Sequence, residues 1–198
     1  MSDTLAGTGD EQLARILRHC IDSYRLKLHG THGLSHWTRV LLTGRRLCDA
    51  LHINHHLVDL FALLHDSQRQ DEGRDSDHGP RAEIFIRELV RKGLLQLPTD
   101  ELDLLSMACS LHTKGLTDGP IIAQVCWDAD RLDLGRVGIS PQPAKLCTSA
   151  AREPILFRWA VDRGTSKAKE ELPWACQVVL ERDSMAPGTN VGSGPFEL

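Results

Sequence analysis

The residues best placed to do chemistry in this chain are His65 and Asp66, two adjacent metal-ligating side chains at the end of the apolar run Leu60-Phe61-Ala62-Leu63-Leu64. A His-Asp pair is common by chance, so its setting matters. An apolar run delivers the pair towards the interior, where such groups are costly unless paired or bound to a metal. Other candidate ligands stand on both sides: His36 before the pair, and His78, His112 and Asp130 after it. Neutral imidazole and carboxylate together suit first-row divalent metals such as Fe, Mn, Co, Ni or Zn.

The elements that must position these groups read as helices. Leu13, Ile16, Leu17, Cys20, Ile21, Tyr24 and Leu28 follow helical spacing and predict an amphipathic helix over 11–28, after a loose lead-in over 1–10. Ser35 is the expected N-cap of a helix to residue 51, with His36 in its first turn and Val40 one turn later on the core side. Residues 56–67 are nearly all apolar, the mark of a central helix. Asp77 is the expected cap of a helix to residue 92, with Pro80 near its first turn. Further helices are expected over 100–112, 121–135, 144–149, 153–162 and 167–181. The candidate ligands thus fall at or near helix ends, where a bundle can make them converge. No strand-period segment or internal repeat stands out, and the reading is an all-α orthogonal bundle.

Length and composition bound the rest. The 198 residues suit one domain over 1–183, followed by a Gly-, Pro- and Ser-rich tail over 184–198 expected to be loose. A net charge of −4 argues against general nucleic-acid binding. No apolar run is long enough to span a bilayer, and no secretory signal is visible, so no membrane association and a cytoplasmic location are expected. The six cysteines are scattered without a CxxC pair and read as buried free thiols.

The order His36 in Ser35-His36-Trp37-Thr38-Arg39-Val40, His65-Asp66, then Asp130 in Asp128-Ala129-Asp130-Arg131-Leu132-Asp133 resembles the HD-domain superfamily, over about residues 30–140. The resemblance implies an all-helical bundle in which His36, His65, Asp66 and Asp130 ligate one divalent metal. Some members insert two histidines between the doublet and the last Asp, and His78 and His112 stand in those places. They imply a second ion, with Asp66 bridging, since a carboxylate offers two oxygens. On the alternative, mononuclear reading, His78 caps a helix and orients substrate phosphate while His112 packs at a helix end.

The implied activity is a metal-dependent phosphohydrolase acting through metal-activated water on a nucleotide or another small phosphoester. Asp66 is its central catalytic residue, and Arg39 and Arg69 are the expected phosphate contacts. Arg81, Lys114 and Arg131 are further cations beside ligands, and Arg131 is alternatively expected to pair with a neighbouring acid. Asp71 or Glu72 is the candidate to reach the attacking water. The GYP motif of the cyclic-di-GMP branch is missing, because Thr113-Lys114-Gly115 follows His112. Two other functions remain open at this level: a di-iron oxygenase using the same six ligands, and a non-catalytic nucleotide-binding regulatory module. The sequence does not set the oligomeric state.

Overall fold

The computed structural model describes residues 4–166 and 172–185, with side chains over 11–166 and 172–182. These residues form an all-helical bundle without strands. In chain order the helices are α1 (Thr4–Ser23), α2 (Leu34–Leu51), α3 (His56–Leu64), α4 (His78–Arg91), α5 (Thr99–Leu111), α6 (Ile121–Leu132), α7 (Ser149–Arg152), α8 (Pro154–Thr165) and α9 (Pro173–Met185). Short 3-10 turns occupy His112–Lys114, Leu134–Val137 and Pro143–Lys145.

The apolar segment predicted to be central is central. Every residue from Leu57 to Leu64 is buried, and α3 packs against α1, α2, α5 and α6. Even its one acid, Asp59, is buried, matched by the Arg45 guanidinium at 2.9 and 2.8 Å. Helix α2 lies across α3 and α6, and α4 packs along α5. The α4–α5 approach depends on Gly79, where an added Cβ would sit 2.8 Å from the carbonyl oxygens of Cys109 and Ser110. That close approach sets His78 beside His112.

Several boundaries differ from expectation, each for a local reason. Helix α1 begins at Thr4, so residues 4–10 are helical and not a loose lead-in. Gly7 and Gly9 disfavour helix, but extending a packed helix adds one hydrogen bond per residue fixed and overrides them. At its other end α1 stops at Ser23, whose hydroxyl donates back to the carbonyls of His19 and Cys20. Gly33, not Ser35, occupies the N-cap of α2, because buried Leu34 already bonds through its N–H to Leu28 O and starts the helix one residue early. Asp77 stands at the N-cap of α4 but makes no side-chain cap bond.

Helix α6 ends at Leu132 and not at Gly135, since Asp133 leaves the helix to pair with α2. The expected 144–149 helix is a 3-10 turn followed by α7, which is capped by the Thr148 hydroxyl accepting from Ala151 N–H. Glu153 caps α8 by accepting from the N–H groups of Ile155 and Leu156, and α8 continues to Thr165. The last helix starts at Pro173; of the expected 167–181 helix, 167–171 lies outside the described residues. Ser184 and Met185 belong to α9, and 186–198, most of the expected loose tail, lies outside the described residues. Cys20, Cys48, Cys109 and Cys126 are buried, as expected, whereas Cys147 and Cys176 are partly exposed.

Candidate metal centre

Five elements meet at the doublet. His36 comes from the first turn of α2, His65 and Asp66 from the end of α3, His78 from the start of α4, His112 from just past α5, and Asp130 from the last turn of α6. His36, His65, Asp66, His78 and His112 are each at most 4 % exposed, and the Asp130 side chain is 14 % exposed. Three overlapping groups each bring one donor atom per residue within 4.8 Å of the others: His36, His65 and Asp66; His65, His112 and Asp130; and Asp66, His78 and His112. The six predicted ligands therefore form one cluster.

The two oxygens of Asp66 face different partners. Its Oδ2 lies 3.5 Å from His36 Nε2 and 3.9 Å from His65 Nε2, and Asp130 Oδ1 is 3.6 and 3.9 Å from the same two nitrogens. Its Oδ1 lies 3.0 Å from His78 Nε2 and 3.7 Å from His112 Nε2. Both oxygens are buried, and neither has a partner in hydrogen-bond geometry. An ionised carboxylate in that state is very costly unless a cation takes its place in the cluster.

The histidine tautomers sharpen the point. His65 Nδ1 is 3.0 Å from Phe61 O, His112 Nδ1 is 2.7 Å from Cys109 O, and His78 Nδ1 bonds Asp75 O. A carbonyl only accepts, so each of these Nδ1 atoms carries the proton and each ring turns its Nε2 towards the cluster. His36 Nδ1 is likewise 2.7 Å from Asp133 Oδ2. Yet the Nε2 atoms stand in close pairs, His36 to His65 at 3.0 Å and His78 to His112 at 2.8 Å. Lone pairs so close repel unless positive charge lies with them. A donor set of imidazole Nε2 and carboxylate oxygen, with every Nδ1 already fixed, fits divalent transition metals.

Protonation tendencies differ across the cluster: burial opposes the charged His112 imidazole, but Asp66 and Asp130 outweigh it and hold it above its ordinary value. Burial drives the His65 imidazole down to about 3, against the pull of Asp66 and Asp130, and so keeps it neutral. Burial raises the Asp66 carboxyl, but the surrounding histidines outweigh it and hold Asp66 well below the usual range. Asp130 moves the same way: burial opposes ionisation, but Arg136 and the histidines favour it more.

A cavity of about 300 Å³ opens onto this cluster, lined among others by His32, Arg69, Thr113, Arg131, Leu134 and Arg136. Arg69 is placed as the sequence suggests. It is 7 % exposed, held by donation to Asp71 O and Gly73 O, with its guanidinium 3.6 Å from Asp66 Oδ1. Arg39, the other expected phosphate contact, does not line this cavity. It is buried behind the cluster, where Nε and Nη2 donate to Asp133 Oδ1 and Oδ2 at 2.6 and 3.1 Å. Its position on the His36 face of α2 points it at the group that orients His36, not at the cavity. Arg131 donates to the carbonyls of Lys145 and Leu116 and pairs with no acid among the described residues. Arg81 ties Asp75 and Gln68 O together, and Lys114 lines a neighbouring cationic cavity with Arg74. Asp71 accepts from Gly73 N–H within its turn.

Three residues escaped the sequence reading. Asp133 fixes both His36 and Arg39; it stands three residues after Asp130, just past the end of α6, a spacing that was available in the sequence. Arg136 lies 3.7 Å from Asp130 Oδ1 and 3.9 Å from Asp66 Oδ2, and its buried Nε has no partner. It sits in a 3-10 turn that periodicity does not locate. His32, in the Gly-rich break, lines the cavity with Nδ1 2.7 Å from Glu72 Oε2. Burial holds its imidazole below the usual value, against the pull of Asp66 and Glu72.

Among the described residues no helix is long and apolar enough to cross a membrane. In comparisons with protein-family models, curated proteins and solved structures, nothing matches this chain, so the reading of the cluster rests on its own geometry.

Proposed function

We propose that the protein is a metal-dependent phosphohydrolase of the HD type, acting on a nucleotide or another small phosphoester. One observation carries the reading: two pairs of imidazole Nε2 atoms face the two unpartnered oxygens of Asp66. By this donor set His36, His65, Asp66 and Asp130 would hold one divalent ion, and Asp66, His78 and His112 a second. Such ions, when bound, polarise a phosphoryl oxygen and lower the pKa of water.

The chain's own side chains supply the remaining requirements of phosphoryl transfer. Arg69 and Arg136 flank the cluster and are placed to orient a phosphoryl group and offset the charge that develops on its oxygens. His32 keeps Nδ1 on Glu72, which leaves Nε2 as the ring nitrogen free to give a proton to the departing oxygen. Burial works against the charged ring, and Asp66 and Glu72 work for it. Asp133 holds the His36 ring in its donor orientation.

The test is metal content per chain, followed by phosphate release from a panel of nucleotides and small phosphoesters. The expected result is two ions per chain, metal-dependent phosphate release, and loss of both in Asp66→Ala while the protein stays helical. Full metal content in that variant would overturn the site. A second reading draws on the same nitrogen and oxygen donors, which also suit a redox-active iron pair and hence an oxygenase. Oxygen consumption by iron-loaded protein, with no phosphate released from any ester, would replace the first reading by the second.

A further inference from the structure

We infer that the substrate is a compact aliphatic phosphomonoester, with its leaving group in a second cavity beside the cluster, and not a nucleotide. The inference rests on the phosphohydrolase reading and narrows its substrate class.

The cluster cavity is built for an anionic head. Arg69 and Arg131 are anchored by backbone carbonyls, which fix the guanidinium without neutralising it. Arg136 completes the set. Its side chain is 9 % exposed, its nearest carboxylates stand 3.7 to 3.9 Å away, and its buried Nε has no partner. Of the three acids facing it, Asp66 and Asp130 belong to the metal donor set and Asp133 is taken up by His36 and Arg39, while the Arg136 Nη1 donates to Asp133 O. A buried, unpartnered guanidinium nitrogen beside such a cavity calls for an acceptor, and a phosphate dianion offers several.

The rest of the space is wrong for a nucleobase. At about 300 Å³ the cavity is at the small end of ligand sites. None of its lining residues is Phe, Tyr or Trp; its rings are imidazoles, of which His78 and His112 belong to the metal donor set and His32 is tied to Glu72, so no large apolar ring is left to stack a base. The four tryptophans are engaged elsewhere: Trp37 against Tyr24, Trp127 through its N–H to Ala108 O, Trp159 under Arg46 and Arg163, and Trp174 packed against the core. Behind the wall formed by Gly115, Arg131 and Leu134 lies a second cavity, of about 330 Å³. Its apolar surface comes from Leu134, Ile139, Pro141 and Leu146, again without an aromatic ring. It contains no acidic residue. That surface suits a short alkyl group attached to the phosphate.

In the reaction, a water oxygen bonds to phosphorus and the P–O bond to the alkyl oxygen breaks. The electron pair leaves with that oxygen, which takes a proton, giving an alcohol and inorganic phosphate with no other reactant.

The experiment uses the full chain loaded with manganese, with metal content verified. Calorimetry compares inorganic phosphate, methyl-, ethyl- and propylphosphonate, and adenosine and thymidine 5′-monophosphates; phosphate release is followed from the matching alkyl phosphates and nucleotides. Affinity is expected to rise about fourfold for each methylene from methyl to propyl, as for burial of a CH₂ group. Both nucleotides are expected to bind at least tenfold more weakly than propylphosphonate. Ile139→Ser should flatten the chain-length dependence while phosphate binding persists, and Arg136→Gln should weaken every phosphorus ligand about tenfold or more at unchanged metal content. Nucleotides binding more tightly than propylphosphonate, or affinity independent of chain length, would overturn the inference. Phosphate release from nucleotides alone would do so too, leaving the phosphohydrolase reading intact. Chain-length-dependent binding with no phosphate released from any ester would uphold the substrate-class inference and overturn the hydrolytic reading.

Discussion

Asp133→Asn isolates the residue that links fold to site. The native carboxylate is 3 % exposed and serves three neighbours: His36 Nδ1 at 2.7 Å, Arg39 through Nε and Nη2, and Arg136 at 3.7 Å. Replacing it by an amide of the same shape leaves the Arg39 charge buried and uncompensated. Breaking one side of a buried pair costs about 3–5 kcal/mol. For a chain of this size, about 2–4 °C of melting temperature accompanies each kcal/mol, so Tm should fall by roughly 6–20 °C. Losing the carboxylate behind His36 should also weaken metal binding by about 10–100-fold.

The double variant Arg39→Met/Asp133→Leu separates the two effects. Swapping both ions for apolar groups removes the uncompensated charge, and stability should return to within about 1–3 kcal/mol of the parent, the cost of the His36 N–H left without an acceptor. Metal affinity should stay low, because His36 still lacks its partner. Calorimetric melting of the apoprotein and competition against a metallochromic chelator measure the two quantities. A Tm within 2 °C of the parent for Asp133→Asn, with metal affinity unchanged, would refute this account. Arg39→Met that left Tm untouched but weakened phosphate binding would reinstate Arg39 as a substrate contact.

Other outcomes follow from the same geometry. His78→Ala should lower metal content from two ions per chain to one by elemental analysis, because it removes one of the three donors around Asp66 Oδ1; two retained ions would exclude the paired assignment. Glu72→Gln and His32→Gln should each slow turnover by about 10²–10⁴-fold with metal content and phosphonate affinity preserved, as expected of a proton-donating pair. Buried Cys20 and Cys48 are both pushed up to about 12 by desolvation, so neither supplies thiolate near neutral pH. A thiol reagent at pH 8 should therefore leave both unmodified in folded protein and label them only after denaturation, as mass spectrometry of the labelled peptides would show.

What the sequence made legible was the part governed by local pattern. The all-apolar 56–67 segment could only be central, and a His-Asp doublet at its end had to be buried with it. The clustering of the six candidate ligands was legible because each lies at or near a helix end, and helix ends follow from periodicity and breakers. What surrounds them depends on long-range placement. Arg39 and Arg136 have the same chemistry, and Arg39 sits closer in sequence to a ligand, three residues from His36. Their roles are nevertheless opposite. Asp133 crosses from the end of α6 to reach α2 and draws Arg39 behind the cluster. The 3-10 turn of Leu134–Val137 then carries Arg136 round to the cavity side. No window of sequence encodes that exchange, because it depends on the crossing of α2 and α6.

The same limit explains why the approach of His78 to His112 is not visible in the sequence. His78 and His112 are 34 residues apart, on separate helices, and read singly each has an ordinary explanation at a helix end. Their pairing depends on Gly79, since any larger residue there would force α4 away from the Cys109 and Ser110 carbonyls. Gly79→Ala should therefore act at a distance from both rings. It should weaken the second ion selectively, while the ion held by His36, His65 and Asp130 remains. Equal loss of both ions would mean that the cluster behaves as one unit, with Asp66 transmitting the disturbance from one oxygen to the other.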